Sequence, residues 1–167
     1  AVAATACFST GAVLVRFAQA LSPFEVTSFR LLLGATFVGL AARTRGIPLA
    51  LDKPLRRRVL AVGLVAALHF LTFIASIYYT SIAHALTLTY TAPAMLALAS
   101  RIFLGERLRP RQTLGVLLTV MGIALLAGFE PTLTPRMLGG DLLALGAAAS
   151  FAAYSLLGRH QMMALPL

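Results

Sequence analysis

The chain is 167 residues long, 59% hydrophobic and only 11% charged, with a mean hydropathy of +0.89. Ordinary soluble domains carry roughly 25% charged residues, and one core of this size could not hide so much apolar surface, so a soluble globular domain is excluded. The net charge of +9 does not point to nucleic acid, because the basic residues sit in short connectors between apolar blocks instead of along one helix face with interleaved aromatics.

The apolar residues fall in blocks of about 20, the length that crosses a hydrocarbon layer roughly 30 Å thick. Backbone in lipid must satisfy its own hydrogen bonds, and no ten-residue alternation suggests a barrel, so the blocks predict helices. Six are expected, over residues 1–20, 24–42, 59–79, 83–104, 112–128 and 140–158. The expected fold is all-α, a polytopic helical membrane protein.

The first span carries Ser9, Thr10 and Gly11 at mid-depth. It lacks the basic flank of a signal peptide and reads as a trimmed first helix, so the sequence is expected to be a piece of a longer chain. Cys7 is the single cysteine, which precludes a disulfide within the chain and implies no metal cluster. Arg16, near the end of this span, reads as structural, with a contact to an anionic substrate group as the alternative.

In the second span Arg30 lies about two turns inside the helix. An arginine at a helix centre costs roughly 2.5–3.5 kcal/mol on insertion scales. Two readings stay open: it snorkels to the surface and pairs with Glu25 or Glu130, or it contacts an anionic substrate group. The next connector, residues 43–58, holds Arg43, Arg45, Lys53, Arg56, Arg57 and Arg58. The third span has His69 at its middle, either a neutral imidazole bonded to a neighbouring helix or a ligand or proton group.

The fourth span reads as one helix kinked at Pro93, which would leave the carbonyl of Thr89 without its helical partner. His84, Thr87 and Thr91 are expected on one side, with Tyr90 beside them. Such a face suits either a kinked packing helix or the lining of a substrate path. Glu106 is expected to balance Arg101, Arg107, Arg109 and Arg111 at the end of this span. In the fifth span Gly115 and Gly122, seven apart, are expected to allow close helix approach.

The sixth span brings Ser150 and Tyr154 to mid-depth and echoes the first: Phe8 aligns with Phe151 and Arg16 with Arg159. A repeat of five helices is odd in number, so a second copy would enter the membrane from the other side as an inverted repeat. Orientation is read from the basic residues. Connectors 43–58 and 105–111 are Arg-rich, whereas the opposite connectors hold Arg136 alone. The N-terminus and both Arg-rich connectors are therefore expected in the cytoplasm, with the chain in the plasma (inner) membrane.

The stretch from Phe73 to Gly128, with its midspan Pro93, the "LGERL" from Leu104 to Leu108 and the glycine-spaced helix after it, resembles the end of one EamA repeat of the drug/metabolite transporter superfamily. "SPFEVTSFRLLLGA" resembles the family's second helix, with Arg30 at its usual arginine, and "GGDLLALGAAASFAAYSLLGR" resembles the opening helix of a second repeat. The resemblance implies a ten-helix inverted-repeat fold around a central cavity lined by the first, third and fourth helices of each repeat. On that pattern residues 1–128 form the first repeat, 129–139 a connector and 140–167 the start of the second. Phe8 and Phe151 stand where the family often shows tryptophan.

The expected function is a secondary transporter or exporter of an amino acid, a related metabolite or a drug, by alternating access. The alternatives are a small multidrug-type exporter subunit and a non-transporting membrane scaffold. No HExxH, GxSxG or paired intramembrane carboxylates point to an enzyme, and no cofactor is expected. The partners expected are a small-molecule substrate and the lipid bilayer, with a homodimer left open. All five carboxylates read as lying at span ends or in connectors, so a proton cycle within this chain would use His69 or His84.

Overall fold

The computed structural model describes residues 2–47, 52–105, 109–129 and 134–162; Glu106, Arg107 and Glu130, with the pairings expected of them, lie outside this set. Seven helices succeed one another: α1 (Val2–Phe17), α2 (Pro23–Thr44), α3 (Lys53–Tyr79), α4 (Ile82–Thr89), α5 (Ala92–Leu104), α6 (Pro110–Phe129) and α7 (Pro135–Met162). The described residues contain no strand. Among the described residues four segments are long and apolar enough to cross a membrane: Pro23–Thr44, Lys53–Tyr79, Ile82–Leu104 and Pro135–Arg159. The fold is an all-α polytopic membrane bundle.

Local chemistry sets the helix ends. Ser22 caps α2 in a reciprocal box: the Glu25 amide donates to Ser22 Oγ at 3.3 Å, and the Ser22 amide donates to Glu25 Oε2 at 2.7 Å. Pro23 at the first helical position needs no amide partner. Ser81 Oγ likewise accepts from the His84 amide at 3.2 Å to start α4. Gly105, left-handed at φ 66°, ends α5.

Two expectations change here. The fourth span is not one kinked helix. It breaks at Tyr90 and Thr91, and Pro93 falls in the first turn of α5, where its missing amide costs no hydrogen bond. The sixth span starts earlier than expected: α7 begins at Pro135, inside the predicted connector 129–139, and places Asp141 two turns into a helix. The apolar block marks where a helix is greasy, not where it begins.

Helix α7 packs along α3 and against α5 and α4, while α1 and α2 flank α3 and α6 rests mainly on α5. Small residues make the α7 contact possible. Gly140, Ala144, Ala147, Ala148 and Ala152 are buried along one side of it, at the spacing of a single helix face. A core of Ala12, Val15, Ile74, Ile77 and Ala85 joins α1, α3 and α4. Outward, α2 exposes Phe29, Leu32, Leu33, Phe37 and Val38, which suits contact with acyl chains. Nothing lies within 4 Å of a Cβ built on Gly115 or Gly122, so the close approach expected of them is not made among the described residues.

Candidate functional site

His69 organises the middle of the bundle. It is 7% exposed, and its Nδ1 lies 2.8 Å from the Ala147 carbonyl of α7. A carbonyl can only accept, so Nδ1 carries the hydrogen and donates. That short reach exists because the alanine face of α7 lets the α3 backbone come close. Phe70, Phe151 and Tyr154 meet the imidazole edge-on, with centroids at 5.0, 5.5 and 5.8 Å, and Phe73 stacks at 6.4 Å. Phe151 and Tyr154 meet each other at 5.1 Å, which fixes the α7 side of this box.

Beside His69 lies a cavity of about 260 Å³. Roughly 150 Å³ is enough to hold a benzene, so this one is large enough for a small metabolite. Its walls come from six helices. Ala12 of α1, Arg30 of α2 and Phe70 and Phe73 of α3 form one part; Thr89, Tyr90 and Pro93 at the α4–α5 break form another, and Phe151 of α7 closes it. The lining is mainly apolar, with Arg30, His69 and Thr89 supplying the polar groups. Thr89 Oγ1 is buried and makes no hydrogen bond among the described residues.

Arg30 does not take the surface position expected of a snorkelling side chain. Its guanidinium carbon sits 4.9 Å from the centroid of the Phe70 ring, facing the cavity. The Glu25 carboxylate, its expected partner, is bound by the amide and hydroxyl of Ser22 instead. The aromatic rings and the guanidinium together can accept an apolar body and an acidic head.

The other predicted residues divide. Tyr90, 61% exposed, and Pro93 lie on the cavity wall, and Tyr154 reaches it through His69 and Phe151. Ser150 and Thr87 are half-buried, and Thr10 is exposed on α1. Ser9 is placed on the α1 backbone, its side chain outside the described set. Thr91 is buried and donates to the Leu88 carbonyl at 2.7 Å, which ties off the helix break. His84, Thr87 and Thr91 therefore do not form the single cavity-facing stripe that a continuous helix would give.

His84 belongs to a second polar cluster, at the corner between α3 and α4. Its Nδ1 lies 3.1 and 3.3 Å from the two carboxylate oxygens of Asp141, and Thr80 Oγ1 donates to the same carboxylate at 2.8 Å. The corner is stapled on other sides as well. The Arg16 guanidinium donates to the Ile77 carbonyl, and the Tyr78 hydroxyl donates to the Leu21 carbonyl at 2.7 Å. Arg136 donates to the Tyr78 carbonyl at 3.2 Å and lies over the Tyr79 ring. Sequence reasoning missed Phe70, Phe73, Thr89, Thr80 and Asp141 as site residues. For Phe70 and Phe73 a signal existed: the "HFLTF" run puts both rings beside His69 on one helix.

Comparison with known proteins adds three findings. Residues 1–128 match the model of the EamA-like transporter family. The chain is 33% identical over 122 residues to the pseudopaline exporter CntI of Pseudomonas aeruginosa, in strains UCBPP-PA14 and PAO1, covering 72% of this chain and 42% of that protein. A protein crystal structure superposes with a TM-score of 0.64 at 25% identity, over 88% of this chain and 52% of that one. The chain thus spans about half the length of the relatives it matches.

Proposed function

Because this chain belongs to the EamA-like transporter family, we propose that it forms part of a carrier that moves a small metabolite with an acidic group and an apolar body across the membrane by alternating access. The observation that carries this reading is the placement of Arg30 over Phe70 at the edge of a cavity shared by α1, α2, α3, the α4–α5 break and α7. A guanidinium held against an aromatic face inside an apolar chamber suits a carboxylate joined to an apolar group better than a cation or a sugar. The name of the curated relative, an exporter, favours outward movement. Residues 1–128 would be the first repeat, and α7 would open the second. The Arg-rich connectors would face the cytoplasm. The homodimer left open by the sequence finds no support in the fold or the comparisons.

The test is counterflow in lipid vesicles containing the complete protein. Radiolabelled leucine and phenylalanine serve as probes, against the corresponding amines that lack the carboxylate. The expected result is saturable exchange of the acids, competed weakly by the amines, and lost with Arg30→Leu. Equal exchange of acids and amines would remove Arg30 as the acid contact, and no exchange of either would leave the scaffold reading.

A further inference from the structure

We propose that His84 and Asp141 form a proton-binding latch between α4 and α7, through which the carrier described above responds to pH. The inference rests on that carrier function for its purpose, and on the α3–α4 corner alone for its geometry. His84 is 3% exposed, and its partner Asp141 approaches from a helix that lies beyond the family-matched segment 1–128. The latch therefore joins that segment to the next helix in the chain.

Three elements meet at one carboxylate. Asp141 comes from α7, His84 from α4, and Thr80 from the turn between α3 and α4. The neighbouring Gly140 touches the Thr80 backbone at a distance that admits no side chain, so α7 has no slack against the turn that leads from α3 into α4. Separating α7 from this corner requires breaking the Thr80 hydrogen bond and the bifurcated one from His84, and wetting both ionisable groups.

Among the described residues, the other charged groups near this corner are engaged. From α1, Arg16 donates to the Ile77 carbonyl; from α7, Arg136 donates to the Tyr78 carbonyl. From α2, Glu25 accepts from Ser22, and on α3 the Tyr78 hydroxyl donates to the Leu21 carbonyl, with the Tyr79 ring under Arg136. On α5, Arg101 lies in the last turn, and on α6 Arg111 lies in the first.

A carboxylate accepts, so Nδ1 of His84 carries a hydrogen and donates to Asp141. With a neutral imidazole the pair then has one negative charge. One further proton, bound at Nε2, turns it into an ion pair of no net charge, with no other bond made or broken. The two occupancies differ by a full charge in a place that water barely reaches. A conformational equilibrium whose two states bind protons differently must shift with pH, so α4 and α7 joined and α4 and α7 apart are the two states at issue.

The experiment uses the complete transporter in lipid vesicles with Cys7→Ser, Ala83→Cys and Leu138→Cys, spin-labelled at the exposed ends of α4 and α7. Label distances are measured from about pH 5 to about pH 9, on both sides of the ordinary imidazole range. The expected result is two populations whose ratio changes by up to about tenfold per pH unit, the limit for one proton. Asp141→Asn and His84→Gln should flatten that dependence. Thr80→Val, which removes a hydrogen bond and no titrating group, should shift the populations and keep the slope. A parent profile that is flat with pH overturns the latch, even if the variants fail to fold. Transport separates this outcome from failure of the carrier reading. In Asp141→Asn the ratio of gradient-driven accumulation to phenylalanine counterflow should fall; an unchanged ratio sinks the latch and leaves the carrier standing. If the parent shows no counterflow at all, the carrier reading fails while the distance measurement still decides the latch.

Discussion

Gly140 meets Thr80 so closely that a Cβ built on it would lie 2.7 Å from the Thr80 nitrogen and 2.8 Å from its Cβ. The obstacle is backbone at a helix corner, which cannot rotate away as a side-chain tip can. Gly140→Ala should therefore destabilise the bundle by about 1–3 kcal/mol, the usual penalty of overpacking. Gly139→Ala, where nothing lies within 4 Å, should be near neutral. Unfolding of the two variants in mixed detergent micelles, compared with the parent, measures the difference.

Arg30→Gln should raise the KM for acidic probes by about tenfold, equivalent to about 1.4 kcal/mol, and leave the KM for matching amines nearly unchanged. The glutamine keeps much of the side chain's length and polarity while removing the charge that Phe70 faces. Arg30→Lys should recover part of the affinity, since a point charge lacks the planar fork and stacks less well. Initial-rate counterflow over a range of substrate concentrations gives the answer.

His69 and His84 should separate by what they control. His69→Ala removes the donor to the Ala147 carbonyl and the ring that four aromatics surround. Its expected effect is weaker substrate binding, by about tenfold or more, at every pH. His84→Ala should alter the pH profile and change substrate affinity less, because His84 is not on the cavity wall. Profiles of KM against pH for the two variants distinguish these effects.

Pro93→Ala should be tolerated by the fold and harmful to movement. The proline sits in the first turn of α5, where an amide is not needed. An alanine there supplies an amide that can reach back to the Thr89 carbonyl and continue α4 into α5. The expected outcome is normal expression with slower counterflow. Spin labels on α4 and α5 should report a narrower spread of distances as the two segments straighten.

The hydropathy blocks located the four segments long and apolar enough to cross, because a membrane helix must be apolar over its whole crossing, whatever its partners. His69 was legible for a related reason: an imidazole alone at mid-depth has to find an acceptor, although nothing in the sequence names Ala147. Arg30 was left with two readings because its aromatic neighbour is 40 residues away in the chain and arrives only when α2 lies against α3. Helical periodicity put His84, Thr87 and Thr91 on one stripe, and that inference assumed an unbroken helix. None of the three lines the cavity: His84 faces Asp141, and Thr91 bonds back to the Leu88 carbonyl at the break. Asp141 read as a residue at the very end of the sixth span because the apolar run starts beside it, yet α7 extends six residues upstream of it.

The packing of α7 has a consequence for biogenesis. The family-matched segment ends at residue 128, but the helix that fills the groove along α3, α4 and α5 begins at Pro135. A nascent chain that has threaded the earlier spans into the bilayer would hold His69, Thr80 and His84 beside an empty slot until the next span arrives. The evolutionary module and the cooperative unit of assembly therefore have different borders, and maturation of the first should stall in the translocon's neighbourhood until its successor has been made.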